Sequence, residues 1–99
     1  MIKHIVMWNV HGDTRDEKRD AATIIKTKFE SLVGQISGMR TLEVGLDISR
    51  ISYACDVVLY SEFEDDAALK RYAEHPAHAQ VRADLEGLRI ARHQVDYVC

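Results

Sequence analysis

The sequence is poor in cysteine and proline and has no long apolar run, and these shortages exclude several classes of protein. Its two cysteines are Cys55, within an apolar run, and Cys99, the last residue, which do not make a disulfide framework. No apolar stretch approaches the roughly 20 residues of a membrane span. The opening residues carry a charge and a histidine too early for a signal peptide. We therefore expect free thiols and a cytoplasmic protein.

Basic residues are outnumbered and scattered. The chain has 13 lysines and arginines against 16 aspartates and glutamates, which gives a formal net charge of -3. Because phosphate binding needs a basic face, this balance argues against a nucleic-acid partner. The glycines at 34, 38, 45 and 87 form no phosphate loop, so a nucleotide is not predicted either. We expect neither nucleic acid nor a membrane as a partner.

Hydrophobic periodicity predicts four strands. Alternating apolar side chains, or short apolar runs bounded by turn residues, mark each of them. In the first strand His4, Val6 and Trp8 share one face, and the opposite face is apolar too. We therefore expect both faces of this strand to be covered. The four strands are predicted at residues 2–10, 40–49, 56–63 and 89–98.

Two helical elements separate these strands. Thr14 and Glu17 form a capping-box pattern at the start of the first. The second follows an acidic run and is interrupted at Pro76, because proline suits the first turn of a new helix. Beyond that joint His78 follows the same helical spacing as Val81 and the leucines after it. His78 is therefore predicted to face inward.

The order β-α-β-β-α-β, with its second helical element broken, predicts an α+β fold. These elements are typical of a ferredoxin-like protomer, in which helices cover one face of an antiparallel four-stranded sheet. Ninety-nine residues suit one domain, spanning residues 1–99, with a limited core. The uncovered sheet face still carries Ile5 and Met7. Since a large exposed apolar patch is unusual for a monomer, we expect a homodimer that packs sheet against sheet.

Five segments of the sequence match one known family, namely Met1–Val6, Leu42–Gly45, Phe63–Glu64, His75–His78 and Val95–Tyr97. Together they resemble the Dabb family, the stress-responsive or dimeric A/B barrel proteins. The resemblance covers essentially the whole chain, and the joint His75-Pro76-Ala77-His78 is its most specific element. It implies a ferredoxin-like protomer whose sheet packs against a partner's sheet to form a dimeric α/β barrel. It implies no particular activity, because most members have no established function.

One plant member of this family cyclises a linear polyketide thioester by intramolecular aldol chemistry. It uses a tyrosine and a histidine at the helix joint, which Tyr72 and His78 resemble in position, and His4 resembles a further pocket histidine. Two positions differ from that enzyme. Val57 stands where the cyclase has another pocket histidine, and Trp8 stands where it has a smaller aliphatic residue. The resemblance therefore implies a different substrate.

Tyr72 and His78 are the candidate catalytic residues. A buried imidazole stays neutral near pH 7 and can accept a proton, and a tyrosine can donate a hydrogen bond to a carbonyl. His75 precedes Pro76, where an N-cap role suits the backbone. The residues expected to line a ligand pocket between helices and sheet are His4, Trp8, Val57, Leu59 and Val81.

No cofactor and no metal site are predicted from side chains. The histidines at 4, 75 and 78 lack a cysteine or carboxylate cluster of zinc spacing. Some members of the resembling family hold magnesium on backbone carbonyls after the first helix, and backbone ligands leave no trace in a sequence. The corresponding region here is that of Val33, Ile36 and Met39.

Three interpretations of function stay open at this point. The leading one is a homodimer that binds a small apolar, aromatic or polyketide-like molecule, to which Tyr72 and His78 would add cyclase-, isomerase- or lyase-type acid–base chemistry. In the second, a non-catalytic stress-associated dimer, the two side chains hydrogen-bond each other or a backbone carbonyl across the broken helix. The third is a cofactor-free monooxygenase of the dimeric α+β barrel type. Whether the chain is an enzyme is left open by the sequence.

Overall fold

The computed structural model describes residues 1–99 and confirms the four strands and the broken second helical element. The second strand is shorter than predicted, because the carboxylate of Asp47 accepts a hydrogen bond from the Arg50 amide and closes a turn. The elements are β1 Ile2–Val10, α1 Arg15–Glu30, β2 Met39–Leu46, β3 Val57–Phe63, α2 Asp66–Glu74, α3 Pro76–Asp84 and β4 Arg89–Val98.

The four strands form one antiparallel sheet in the order β2-β3-β1-β4. This is the predicted ferredoxin-like arrangement, in which β1 lies between β3 and β4. The inward side chains of β1 are buried as expected, including His4, Val6 and Trp8. On the opposite face Met7 is 37% exposed. On a single chain this face is therefore uncovered, in keeping with the expectation that a second copy covers it.

The core lies between the sheet and the three helices. Its largest members leave water completely or almost so, and each such burial contributes roughly 1.5–3 kcal/mol. Because these side chains come from every layer, they fix the helices against one face of the sheet. The largest fully buried side chains are Phe29, Phe63, Ile25, Leu32, Leu59 and Leu85.

The first helix begins with the predicted cap, in a slightly altered form. The Thr14 hydroxyl accepts a hydrogen bond from the Glu17 amide at 3.1 Å. The Glu17 carboxylate accepts in return from the Asp13 amide at 3.2 Å, one residue earlier than in the usual capping box. The helix then runs for 16 residues. No helix of this chain is both long and apolar enough to cross a membrane.

At the joint, α2 ends at Glu74 and α3 begins at Pro76, with His75 between them. The backbone of His75 is extended, and its Nδ1 accepts a hydrogen bond from the Ala77 amide at 3.0 Å. This is the predicted N-cap, and Pro76 occupies the first helical position, where no donor is lost. The change of direction brings Tyr72, near the end of α2, beside His78, in the first turn of α3.

A β-bulge in β4 decides which face its side chains take. The register of β1 and β4 shifts between Trp8 and Asn9, which leaves Ala91 as the extra residue. Ala91 has φ +50°, a left-handed conformation that costs a non-glycine residue about 1–2 kcal/mol. Residues three apart in a regular strand point to opposite faces. Because of the bulge, Arg89 and Arg92 both reach the helix-facing side.

Two glycines after α1 provide a matched test of how tightly α2 packs. Gly34 and Gly38 have φ +84° and +86°, but an added Cβ would meet nothing within 4 Å at Gly34 and would lie 2.6 Å from the Ala68 Cβ at Gly38. We expect Gly34→Ala to lower the free energy of unfolding by about 1 kcal/mol and Gly38→Ala by roughly 3 kcal/mol. Urea unfolding of both variants measures the difference, and equal losses would show that α2 moves aside without cost.

Candidate functional site

A cavity of about 200 Å³ lies between β1, β4 and the helices. Its apolar wall includes Trp8, Phe29 and Leu59. The Trp8 ring stacks on the Phe29 ring, with centroids 5.4 Å apart and planes 18° from parallel. Such stacking fixes both rings, so the wall is preformed.

The structure brings together most, but not all, of the residues singled out in the sequence. Of the expected pocket residues, His4, Trp8 and Leu59 line the cavity together with the candidate catalytic pair. Val57 and Val81 are buried in the core, outside the cavity lining.

Tyr72 and His78 are in direct contact inside this cavity. Their ring centroids lie 4.4 Å apart with an interplanar angle of 53°. No hydrogen bond within the protein joins the two side chains, and the buried His78 Nδ1 has no hydrogen-bond partner. A buried polar atom in that condition costs roughly 1–3 kcal/mol. The contact is therefore one of packing, which leaves the polar atoms of both rings available.

Burial moves the pKa values of the pair in opposite directions. It lowers the pKa of His78 to about 4, helped by the Arg82 charge and opposed by the Ala73 backbone. Burial also raises the pKa of Tyr72 well above its ordinary value, although the charges of Arg92 and Arg89 oppose that rise. At neutral pH the imidazole is uncharged and the phenol keeps its proton. The pair therefore offers an acceptor and a donor side by side.

His4 completes the polar side of the cavity and is itself held in place. Its Nδ1 lies 2.5 Å from a carboxylate oxygen of Asp96, and its ring centroid lies 5.9 Å from that of Tyr72. Gln94 donates a further hydrogen bond to the other Asp96 oxygen at 3.0 Å. Because the carboxylate accepts, Nδ1 carries a proton. Asp96 was missed in the sequence, although an aligned β1–β4 pair would place it opposite His4.

Three arginines at the cavity were also missed. Arg82 comes from α3, and Arg89 and Arg92 come from β4. The net negative composition gave no sign of a basic cluster. Simple alternation along β4 places Arg89 and Arg92 on opposite faces, and only the bulge at Ala91 brings them together.

The histidines at the joint do not gather as metal ligands. The Nδ1 of His75 is already used by the Ala77 amide. No group of three or more histidine, cysteine, aspartate or glutamate side chains is placed to hold a metal ion. The magnesium position near Val33 stays a prediction, because it concerns backbone oxygens alone.

The sequence and the fold both match known proteins. The model of the stress-responsive A/B barrel domain, Dabb, matches residues 2–99. The chain belongs to the Dabb family. An uncharacterized protein of Streptomyces coelicolor is 42% identical over 79 residues, which is 79% of each chain. The predicted family is therefore confirmed.

Solved structures agree with this assignment. A dimeric protein of unknown function and ferredoxin-like fold from Bacteroides fragilis is 34% identical to this Dabb chain, with a TM-score of 0.84 over 97% of this chain and 93% of the other. A hydroxynitrile lyase from Passiflora edulis has a TM-score of 0.80 over 99% and 92% of the two chains. At 13% identity the lyase shares the fold alone.

The lowered pKa of His78 predicts a specific dependence of stability on pH. The unfolded chain binds a proton at His78 below about pH 6.5, but the folded chain does so only near pH 4. The free energy of unfolding should therefore fall as the pH drops through this window, by about 1–2 kcal/mol after allowance for partial exposure. His78→Gln should remove that part of the loss, and urea unfolding at pH 7 and pH 4.5 measures it.

The matched control for this measurement is His11→Gln, at an exposed histidine beyond β1. That variant should keep the pH dependence of the wild-type protein. A His78→Gln protein with an unchanged pH dependence would contradict the buried, neutral imidazole.

Proposed function

We propose that this Dabb protein is a homodimer in which each protomer binds a small apolar, aromatic or polyketide-like carbonyl compound and acts on it by acid–base chemistry. The observation that carries the proposal is the His78 Nδ1, a buried atom without a partner in a residue that lines a cavity. Native proteins satisfy nearly all such atoms, and a catalytic role is one of the recurring reasons for an exception. Tyr72 presents its phenol to the same cavity.

The two side chains suit proton abstraction next to a carbonyl. Tyr72 donates its hydrogen bond to the carbonyl oxygen, and neutral His78 takes a proton from the adjacent carbon. The electron pair of the broken C–H bond forms the C=C bond of an enolate, whose negative oxygen the phenol stabilises. Return of the proton to another carbon gives isomerisation, attack on a second carbonyl gives cyclisation, and loss of a leaving group gives a lyase reaction.

The competing structural role for the pair finds less support. A helix tie would need a hydrogen bond from one of these side chains to the other or to a backbone carbonyl across the joint. The two rings do not bond each other, and the Ala73 backbone acts on His78 without giving its Nδ1 a hydrogen-bond partner. The joint is held instead by the His75 cap and by the hydrogen bond from the His75 amide to the Tyr72 carbonyl. The structural interpretation therefore keeps only the action of the Ala73 backbone on His78.

The dimer rests on the uncovered face of the sheet. Met7, Val95 and Tyr97 on this face are 37%, 49% and 42% exposed. Ile5 pairs with Val95 across β1 and β4, so the apolar side chains are contiguous. A protein 34% identical to this chain is described as dimeric. A second copy of the sheet is the occupant that this face favours.

Val95→Asp tests the dimer. Burying a charge in a sheet-to-sheet interface is costly, so we expect the variant to be monomeric or at least tenfold weaker in association. Analytical ultracentrifugation should give twice the 11.3 kDa chain mass for the wild-type protein and a single chain mass for the variant. Ile48→Asp, at a loop residue that is 91% exposed, is the control and should stay dimeric. A monomeric wild-type protein that is folded would exclude the proposed assembly.

Hydrogen–deuterium exchange of phenylacetone tests the chemistry. This neutral aromatic ketone has exchangeable protons beside its carbonyl, and in D₂O near pH 7 the protein should speed their loss over buffer in proton NMR spectra. Tyr72→Phe and His78→Gln should each slow the catalysed exchange by about 100-fold, in keeping with general acid–base catalysis. The controls are Tyr53→Phe and His11→Gln, both at exposed residues. Catalysis that survives both site variants would overturn the assignment.

A further inference from the structure

We propose that the molecule bound in the cavity carries a carboxylate, which Arg82, Arg89 and Arg92 hold beside the Tyr72–His78 pair. This inference rests on the proposed function, since it names the class of ligand for the same cavity. The three arginines line the cavity together with that pair. Guanidinium groups recognise carboxylates through paired, charge-assisted hydrogen bonds.

Arg89 is the central member of this cluster. Its guanidinium lies 5.1 Å from the centre of the Trp8 ring and 5.9 Å from that of Phe29. Burial lowers the pKa of Arg89, and the neighbouring charges of Arg92 and Arg82 lower it further. The charge is therefore held over the aromatic wall, partly out of water and next to two like charges.

No carboxylate of the chain neutralises the cluster. The six ion pairs of the structure involve other residues throughout. Asp96 is engaged by His4 and Gln94. Glu86 lines an adjoining open groove with Arg82 and Arg89 but forms an ion pair with neither. Arg92 donates a hydrogen bond to the neutral side chain of Gln94, which leaves its charge uncompensated. In a chain of net charge -3, three arginines without an ion pair in one place suit an external anion.

The β-bulge that brings two of these arginines together requires a strained backbone conformation. The positive φ of Ala91 belongs to the bulge that turns Arg89 and Arg92 to one face. A conformation of that kind persists where the surrounding structure requires it, and such sites are concentrated around ligands. Two features that each oppose folding, the bulge and the like charges, thus meet at one cavity.

The volume and the lining of the cavity limit the size and the chemistry of the rest of the ligand. About 200 Å³ is less than the roughly 300–1,000 Å³ of a site for a drug-sized molecule. Trp8 and Phe29 offer a flat apolar wall to one side of the arginines. A compact carboxylic acid with an aromatic ring or short acyl chain fits this combination.

The single tryptophan of the chain is Trp8, so its fluorescence reports directly on the cavity. Titration with phenylacetate should give saturable binding at least about tenfold tighter than titration with phenylacetamide, a neutral molecule of the same skeleton. Added sodium chloride should weaken phenylacetate binding and leave phenylacetamide binding unchanged. Phenyl phosphate should bind no more than about tenfold tighter than phenylacetate, and a larger preference would overturn a carboxylate in favour of a phosphate.

Arg89→Gln should weaken phenylacetate binding by about tenfold or more and change phenylacetamide binding by less than about twofold. Arg82→Gln, at an exposed position on α3, should likewise weaken phenylacetate binding more than phenylacetamide binding. This second variant keeps Arg89 and its contacts with Trp8 and Phe29. Arg19→Gln on α1 is the matched control and should bind like the wild-type protein. Equal affinity for phenylacetate and phenylacetamide would overturn the carboxylate while leaving the proposed function intact.

The two proposals fail in different ways. Phenylacetate binding that depends on Arg89, without catalysed exchange of phenylacetone, would remove the chemistry and leave the carboxylate site standing. An unchanged Trp8 fluorescence with all these molecules up to about 10 mM would overturn both.

Discussion

The register of β1 between β3 and β4 is the constraint on which the rest of this structure depends. Side chains alternate along a strand with a period of two, so each residue of β1 serves one face only. His4, Val6 and Trp8 face the helices, where they are buried and line the cavity. Ile5 and Met7 face the other way and form the middle of the apolar surface. A slip of one residue would exchange these sets and destroy both surfaces.

The candidate site borders the core, and residues of the core line the same cavity as its polar side chains. The burial that stabilises Phe29 and Leu59 also removes water from Tyr72 and His78, which keeps the phenol protonated and the imidazole neutral. The packing of the core and the protonation states at the candidate site are thus coupled. The unpaired His78 Nδ1 and the unpaired arginines reduce the stability of the free protein, and a ligand that satisfied both would restore it.

The sequence predicted those parts of the structure that depend on local periodicity. Alternation located the strands, and proline chemistry located the joint that places Tyr72 beside His78. The pattern did not predict the pairing of His4 with Asp96, because a contact between residues 92 positions apart depends on the register of two strands. The arginine cluster was hidden for a different reason. Glycine is the usual sign of a left-handed bulge residue, and here an alanine, Ala91, takes that conformation.

The arginines and the histidine are electrostatically linked, and this link gives the carboxylate a role beyond binding. The charges of Arg82 and Arg92 both lower the pKa of His78. A base with a pKa of about 4 is weak at neutral pH, since general bases are most effective when their pKa lies near the working pH. A carboxylate bound by the arginines would offset their charge at the imidazole and raise its pKa. In the proposed reaction, a carboxylate ligand therefore strengthens the base that acts on it.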